Sequence, residues 1–361
     1  MDTERGRIAA QALADVYATW VPRSKIIGMN LFSAELSKLA TNAMLAQRIS
    51  SMNALSVICE ATGADAAQLS QAVGSDGRIG PYMLQPLFGF GGSCFKKDTF
   101  CLVYLCKCLY LDDVAAYWQG LFDVKERQKY RAIERVASRL NNSMANKKIA
   151  VLGFAFKEGI ADTRESCAID LVKGFLREGS SVAVYDPWAE KQQIHKDLGI
   201  DELEDSEFNA VLKVCGSGEE ASDGAHAIIV ATNWDIFQTN PAIPDESVAN
   251  AGTHTHVDAR PALPPSYTTQ HKPSMPHGLA RLSDDAASSN GGVGTNSNGT
   301  ESLVGLTEEC TSRGRLDWEA IAKSMKYPKI VFGSSACLNK DVLGRLGFDV
   351  ELIGRGKTFC S

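Results

Sequence analysis

Apolar residues recur at spacings of three and four through the first 140 residues, and the rhythm changes at Lys147. "RIAAQALADVYATW" reads as one helix within residues 1–29, stopped by Pro22 in "VPRS". Leu36, Leu39, Ala40, Ala43 and Met44 then mark a second helix, with Ser33 placed to cap it. That helix runs to about Thr62 and stops at Gly63, a natural left-handed terminus. "ADAAQLSQAV", "CLVYLCKCLY" and "RQKYRAIERVASRL" continue the helical pattern, so residues 30–143 are expected to be all helical. Beyond them, "KKIAVLGFAF", "SSVAVYDPW", "GAHAIIVATNW", "PKIVFGS" and "FDVELIG" are short, almost continuous apolar runs. Helical text such as "ESCAIDLVKGFLREG" and "DWEAIAKSM" separates some of them. This alternation predicts an α/β domain over residues 144–361, with a parallel sheet covered on both faces. Residues 238–315 break the pattern with Pro, Ser, Asn, Gly and His, and read as a disordered insertion.

Composition narrows the setting. A chain of 361 residues with 44% hydrophobic content can form two domains or three. Its net charge of −6 argues against a nucleic-acid partner. No run of eighteen apolar residues is present, so no membrane span is expected. "MDTERGRIAAQAL" has no apolar signal-peptide core. Ten cysteines lie without the spacing of a disulfide scaffold, which points to a reducing, cytosolic compartment. "CKC" at 106–108 is not a zinc-ligand spacing, and "THTH" at 253–256 reads as solvated polar text, so no metal is expected.

Three stretches carry candidate chemistry. In "FGFGGSCFKKD", Gly89, Gly91, Gly92 and Ser93 precede Cys94, and Lys96, Lys97 and Asp98 follow it. A helix starting near Ser93 would aim amide dipoles at the thiol and, with the lysines, favour the thiolate. Asp98 would lie one turn on, a workable arrangement for covalent catalysis. From the residues alone, a glycine turn carrying a buried cysteine remains an equal reading. Lys38 and Asn42 share a helix face at i, i+4, while Glu35 stands ready to pair with Lys38 as a plain solvated edge. "VLGFAFKEGIADTRES" has Gly153 but no G-x-G-x-x-G, so dinucleotide binding there is unsupported. Lys157 and Arg164 in it are available to a diphosphate, or are simply surface cations.

Taken in order, "ELSKLATNAMLAQRISSMNALSVICEATGAD", "FGFGGSCFKKD" and "GFAFKEGIADTRES" resemble the UDP-glucose/GDP-mannose dehydrogenase family, most nearly its UDP-glucose branch. The resemblance covers most of residues 5–237 and resumes near 316. It implies a central helical dimerisation domain and a Rossmann-like UDP-sugar-binding domain, with the family's N-terminal NAD-binding Rossmann domain missing. Residues 1–29 are then the tail of that domain and a linker. The implied activity is oxidation of UDP-glucose to UDP-glucuronate, with two NAD reduced in succession and with pairing into a homodimer or larger homo-oligomer. Cys94 resembles the nucleophile that carries the sugar as a thiohemiacetal and then a thioester. Lys38 resembles the cation facing the C6 oxyanion, and Asn42 and Asp98 the pair that handles the hydrolytic water. Arg78 matches an arginine lent to a neighbouring subunit's pocket, and Leu87, Phe88, Gly89, Phe90 and Gly91 match a backbone wall for the sugar nucleotide. Phe156 and Lys157 match substrate contacts; Cys94, Lys97 and Arg164 match contacts to NAD. Gln85 stands where the family usually has lysine, and Ser335 near where it has a substrate-gripping arginine. Turnover by this chain alone is not expected. A GDP-mannose-type dehydrogenase and a non-catalytic UDP-sugar-binding chain are the alternatives.

Overall fold

The computed structural model describes residues 3–199, 211–239 and 314–356. The described residues divide into two compact units, one of residues 3–28, the other of 29–199, 211–239 and 314–356. In the first, helix α1 (Glu4–Tyr17) is capped by Thr3, whose hydroxyl accepts the Gly6 amide at 3.1 Å. A single 3-10 turn (Arg23–Lys25) follows Pro22. The insertion expected at 238–315, with its "THTH" stretch, lies almost wholly outside the described residues.

The second unit opens with α2 (Leu31–Thr62), and its cap differs from expectation. Asn30, not Ser33, is the N-cap: its side-chain oxygen accepts the Ser33 amide at 2.8 Å. Ser33 is already inside the helix, so its amide is one of the orphan donors rather than its side chain the acceptor. Gly63 closes the helix in the left-handed conformation at φ 81°. Ala43, Ala46, Ile49, Met52, Asn53, Ser56 and Cys59 form the buried face, while Leu36 and Met44 of the expected stripe stand exposed. After α3 (Ala66–Gly74), helices α4 (Ser93–Cys108) and α5 (Asp112–Arg139) pack on α2 and on each other. The fully buried alanines of α2 allow that approach, and Ile49, Phe90 and Phe122 fill the space between.

The rest of the unit alternates strand and helix: β1 (Lys148–Leu152), α6 (Cys167–Arg177), β2 (Ser181–Tyr185), α7 (Lys191–Leu198), β3 (Leu212–Val214), α8 (Gly218–Ser222) and β4 (Ala227–Val230). Then come α9 (Trp318–Ser324), β5 (Ile330–Gly333), α10 (Lys340–Arg345) and β6 (Asp349–Leu352). The six strands are all parallel, in the order β3-β2-β1-β4-β5-β6. Both faces are covered, which is why the strands read as apolar runs rather than alternations. Ile149 and Val151 enter one core with Val136, Leu171 and Phe175; Ala150 and Leu152 enter the other with Ile228, Phe237 and Ile321. Strand order reverses direction between β1 and β4, the position where an open α/β sheet leaves a crevice at its carboxyl ends.

A charged seam joins the helices to β6. Glu60 of α2 accepts from Arg131, from Arg135 at 2.7 Å and from the Gly354 amide at 2.8 Å. Arg135 also reaches Glu351 at 2.7 Å and lies 4.7 Å from the centre of the Phe332 ring. Arg139 pairs with Asp349 and Glu351.

Candidate active site

A cleft of about 500 Å³ opens where the β1 and β4 ends meet the segment leading into α4. Leu87, Phe88, Gly89, Phe90 and Gly91 line it, as do Phe156 and Lys157 of the β1 loop. Phe88 and Phe90 turn their rings into the protein, 5.3 Å from Phe332 and 5.9 Å from Phe122 between ring centres, which leaves backbone to face the cleft. Asn53 fixes the start of the segment by accepting the Leu87 amide at 2.8 Å. Its glycines answer a packing demand. A Cβ on Gly91 would lie 2.5 Å from the Phe156 Cβ, and one on Gly92 would lie 3.0 Å from the Phe156 ring. Gly92 also adopts φ 85° and donates its amide to the Arg164 carbonyl at 3.2 Å, stitching this segment to the loop after β1.

Gly92 is the N-cap residue of α4 and supplies no side-chain acceptor, so the first-turn amides are left for other partners. Cys94 sits in that first turn, exposed, and lines the cleft. One turn on, Asp98 is buried at 1% exposure and accepts from Lys38 and from Asn42 at 2.6 Å. Burial pushes the Asp98 carboxyl up, but the hydrogen bonds from Lys38 and Asn42 outweigh it and hold the group below its ordinary value. The Asp98 hydrogen bond holds Lys38 above its own ordinary value, burial opposing, with the Cys94 and Cys101 thiols adding weakly. Lys38 is therefore paired to Asp98 across two helices and not to Glu35 on its own.

Other expected residues lie elsewhere. Lys96 does not serve the thiol: it bonds both Glu165 oxygens at 2.8 Å. Lys97 is exposed and outside the cleft wall. Arg78 is also outside it, exposed and forked onto Asp76 at 2.6–3.2 Å. Arg164 lines the cleft with its guanidinium on Asp162, which holds the Asp162 carboxyl below its usual range. Gln85 faces the cleft, and Ser335 is exposed after β5, outside its wall. Cys167, Ala231, Thr232 and Asn233 line the cleft without having been foreseen. The signal for the last three was their place directly after the apolar run "AHAIIV", but only the strand order puts that end beside β1.

These features together define an α/β protein with a thiol in the wall of a cleft and, outside that wall, a lysine ion-paired to the carboxylate one helical turn from the thiol. Residues 32–126 match the central domain of the UDP-glucose/GDP-mannose dehydrogenase family, and residues 150–265 match that family's UDP binding domain. The chain belongs to that family. It is 49% identical over 247 residues to UDP-glucose 6-dehydrogenase 2 of Arabidopsis thaliana, covering 66% of this chain and 52% of that protein. UDP-glucose 6-dehydrogenase of Gallus gallus is 47% identical over 238 residues, covering 66% and 48%. The chain thus spans about half the length of the curated relatives it matches. A solved UDP-glucose dehydrogenase from Pyrobaculum islandicum superposes with a TM-score of 0.55 at 29% identity, over 64% of this chain and 50% of that one.

The sheet domain does not fit the NAD that the family implies. The Phe154 and Ala155 amides, which would cradle a pyrophosphate after β1, are both held by the Asp186 carboxylate at 2.6 and 2.9 Å. Asp186 directly follows β2, where a dinucleotide fold offers its acid to a ribose. Here it also binds the Trp188 and Ala189 amides and the Trp234 indole, at 2.8–3.0 Å. The space before Gly153 is taken by Thr232, 2.5 Å from where a Cβ would stand. Among the described residues there is no group of three side chains suited to hold a metal, and no helix is long and apolar enough to cross a membrane.

Proposed function

We propose that the cleft binds a UDP-sugar with the sugar C6 against Cys94, and that this chain belongs to an enzyme converting UDP-glucose to UDP-glucuronate. The observation that carries this reading is the Lys38–Asp98–Asn42 cluster one helical turn from a cleft-lining thiol. A thiolate at Cys94 adds to a C6 aldehyde: the S–C bond forms as the carbonyl π pair moves to oxygen. Lys38, with its side chain 57% exposed, can turn its ammonium to that oxyanion. A carboxylate held as low as Asp98 is a weak base, so its first role is to position Lys38 and Asn42. In hydrolysis, water adds to the thioester carbonyl and the thiolate leaves, with Asn42 orienting the water. Two oxidations frame the thiol addition, alcohol to aldehyde before it and thiohemiacetal to thioester after it. Each gives up a proton and a hydride, and NAD, which the β1 loop does not fit, would be the hydride acceptor for both.

Iodoacetamide labelling at neutral pH, read by peptide mapping, tests the site. Cys94 should label rapidly and UDP-glucose should shield it. Cys59, Cys167, Cys215 and Cys337 should stay unlabelled, since burial pushes each thiol up, Cys337 to about 12. Labelling of Cys94 that ignores millimolar UDP-glucose would refute the reading. One observation favours a second reading, UDP-sugar binding without turnover: Asp186 and Thr232 occupy the dinucleotide position. NADH formation by the purified chain separates the two.

A further inference from the structure

Lys125 and Lys129 lie one turn apart on α5 and are equally buried, each 4% exposed. Their surroundings differ. Lys129 holds Glu126 at 2.7 Å and also Asp170. Among the described residues, Lys125 has no carboxylate at ion-pair distance and no hydrogen bond. Its ammonium lies 5.0 Å from the centre of the Phe90 ring. Its stem runs beneath the cleft wall: a Cβ on Gly89 would stand 3.0 Å from the Lys125 Cγ and 2.9 Å from the Cys167 sulfur. Gly89, Phe90 and Cys167 all face the cleft. Burial pushes the Cys167 thiol up, and Lys125 is the strongest influence opposing it, so the positive charge is felt at that wall. The Lys125 Nζ is not sealed from solvent, and with no anion beside it its field is free to act on a counter-charge that enters the cleft.

We propose that Lys125 is a positioning residue whose unpaired ammonium, behind the Gly89–Phe90 wall, makes the cleft prefer a diphosphate-bearing nucleotide to its nucleoside. This rests on the UDP-sugar reading of the cleft. The ligand's diphosphate is the missing counter-charge, acting through the wall without touching the lysine. Phe90 helps by excluding water from the path, and Lys129 cannot substitute because its charge is already spent on two carboxylates.

The test is calorimetric titration of the full chain with UDP and with uridine. For Lys125→Met, UDP affinity should fall about tenfold, the size that a few unit charges roughly 10 Å apart produce between protein and water dielectrics. Uridine affinity should stay within about twofold, and Lys125→Arg should restore UDP binding. The methionine variant keeps an unbranched apolar stem beneath Gly89 and should fold. Lys125→Gln replaces it if that variant does not fold. An equal loss for UDP and uridine would mean a plain packing role and overturn the proposal. Unchanged UDP affinity would overturn it while leaving the UDP-sugar site standing. Wild-type protein that binds neither ligand would remove the site and the proposal together.

Discussion

The contact between Gly91 and Phe156 predicts a substitution pattern that ordinary glycine strain would not produce. Gly91→Ala places its new methyl 2.5 Å from the Phe156 Cβ, 3.2 Å from the Glu165 carbonyl oxygen and 3.3 Å from the Phe156 Cα. Ordinary carbon contacts lie at about 3.5–4.0 Å, so the two segments must part by more than about 1 Å. Overpacking of this kind costs about 2 kcal/mol. With a urea m-value of about 2 kcal/mol/M, the unfolding midpoint should drop by roughly 1 M. The clash is with atoms nearest the backbone, so Phe156→Ala keeps it and Phe156→Gly removes it. Gly92→Ala behaves oppositely: its methyl meets the ring at 3.0–3.3 Å, so Phe156→Ala relieves the clash. What remains there is the cost of φ 85° with ψ 138° for an L-residue, about 1–3 kcal/mol. Urea unfolding followed by tryptophan fluorescence across the two double-mutant cycles measures this. Gly91→Ala should couple to Phe156→Gly by about 1–2 kcal/mol and to Phe156→Ala by almost nothing. Equal rescue by both, or an unshifted midpoint for Gly91→Ala, would refute the packing argument.

Glu60→Gln leaves the part-buried Arg131 and Arg135 without their shared carboxylate and should cost about 3 kcal/mol in the same unfolding assay. Asp98 is held below its ordinary value when folded, so it binds fewer protons folded than unfolded and its contribution is complete above pH of about 4. That contribution is lost as pH falls through the depressed folded value; Asp98→Asn should flatten this acid limb of the stability curve. Leu36, Met44 and Ile58 are exposed on the outer side of α2, and we propose that a second copy covers them. Sedimentation at tens of micromolar should then show a dimer, and Met44→Glu should shift it toward monomer.

The helical and sheet-bearing halves were legible because their periods are local: three and four for α2, continuous apolar runs for β1, β2 and β4. The thiol in its glycine setting was legible for the same reason. What local pattern cannot carry is the partner. Lys38 and Asp98 are sixty positions apart, so the nearer Glu35 looked as good a mate until α4 was packed on α2. Asn30 was missed as a cap because the apolar stripe begins after Ser33, whereas the helix begins with exposed Leu31 and Phe32, which contribute no stripe. Thr232 carried only its place after an apolar run, which the strand order brings to the cleft, and Cys167, at the start of α6, carried no signal.

The glycine stretch illustrates how a ligand site and a fold constraint come to share the same residues. Read alone, its glycines suggest backbone making room for a small molecule. In the structure they make room first for Phe156 and for Cys167, drawing the start of α4 onto the β1 loop. That closeness is what builds a wall of backbone on one side and brings Cys94 to its rim. A side chain at Gly91 would act on the cleft by moving its two walls apart, even without entering it. The charged seam at Glu60 bears on the same geometry from the far side, because α2 carries Lys38 and Asn42 while the sheet carries Phe156 and Lys157. The distance between the lysine cluster and the backbone wall thus depends on contacts that touch neither.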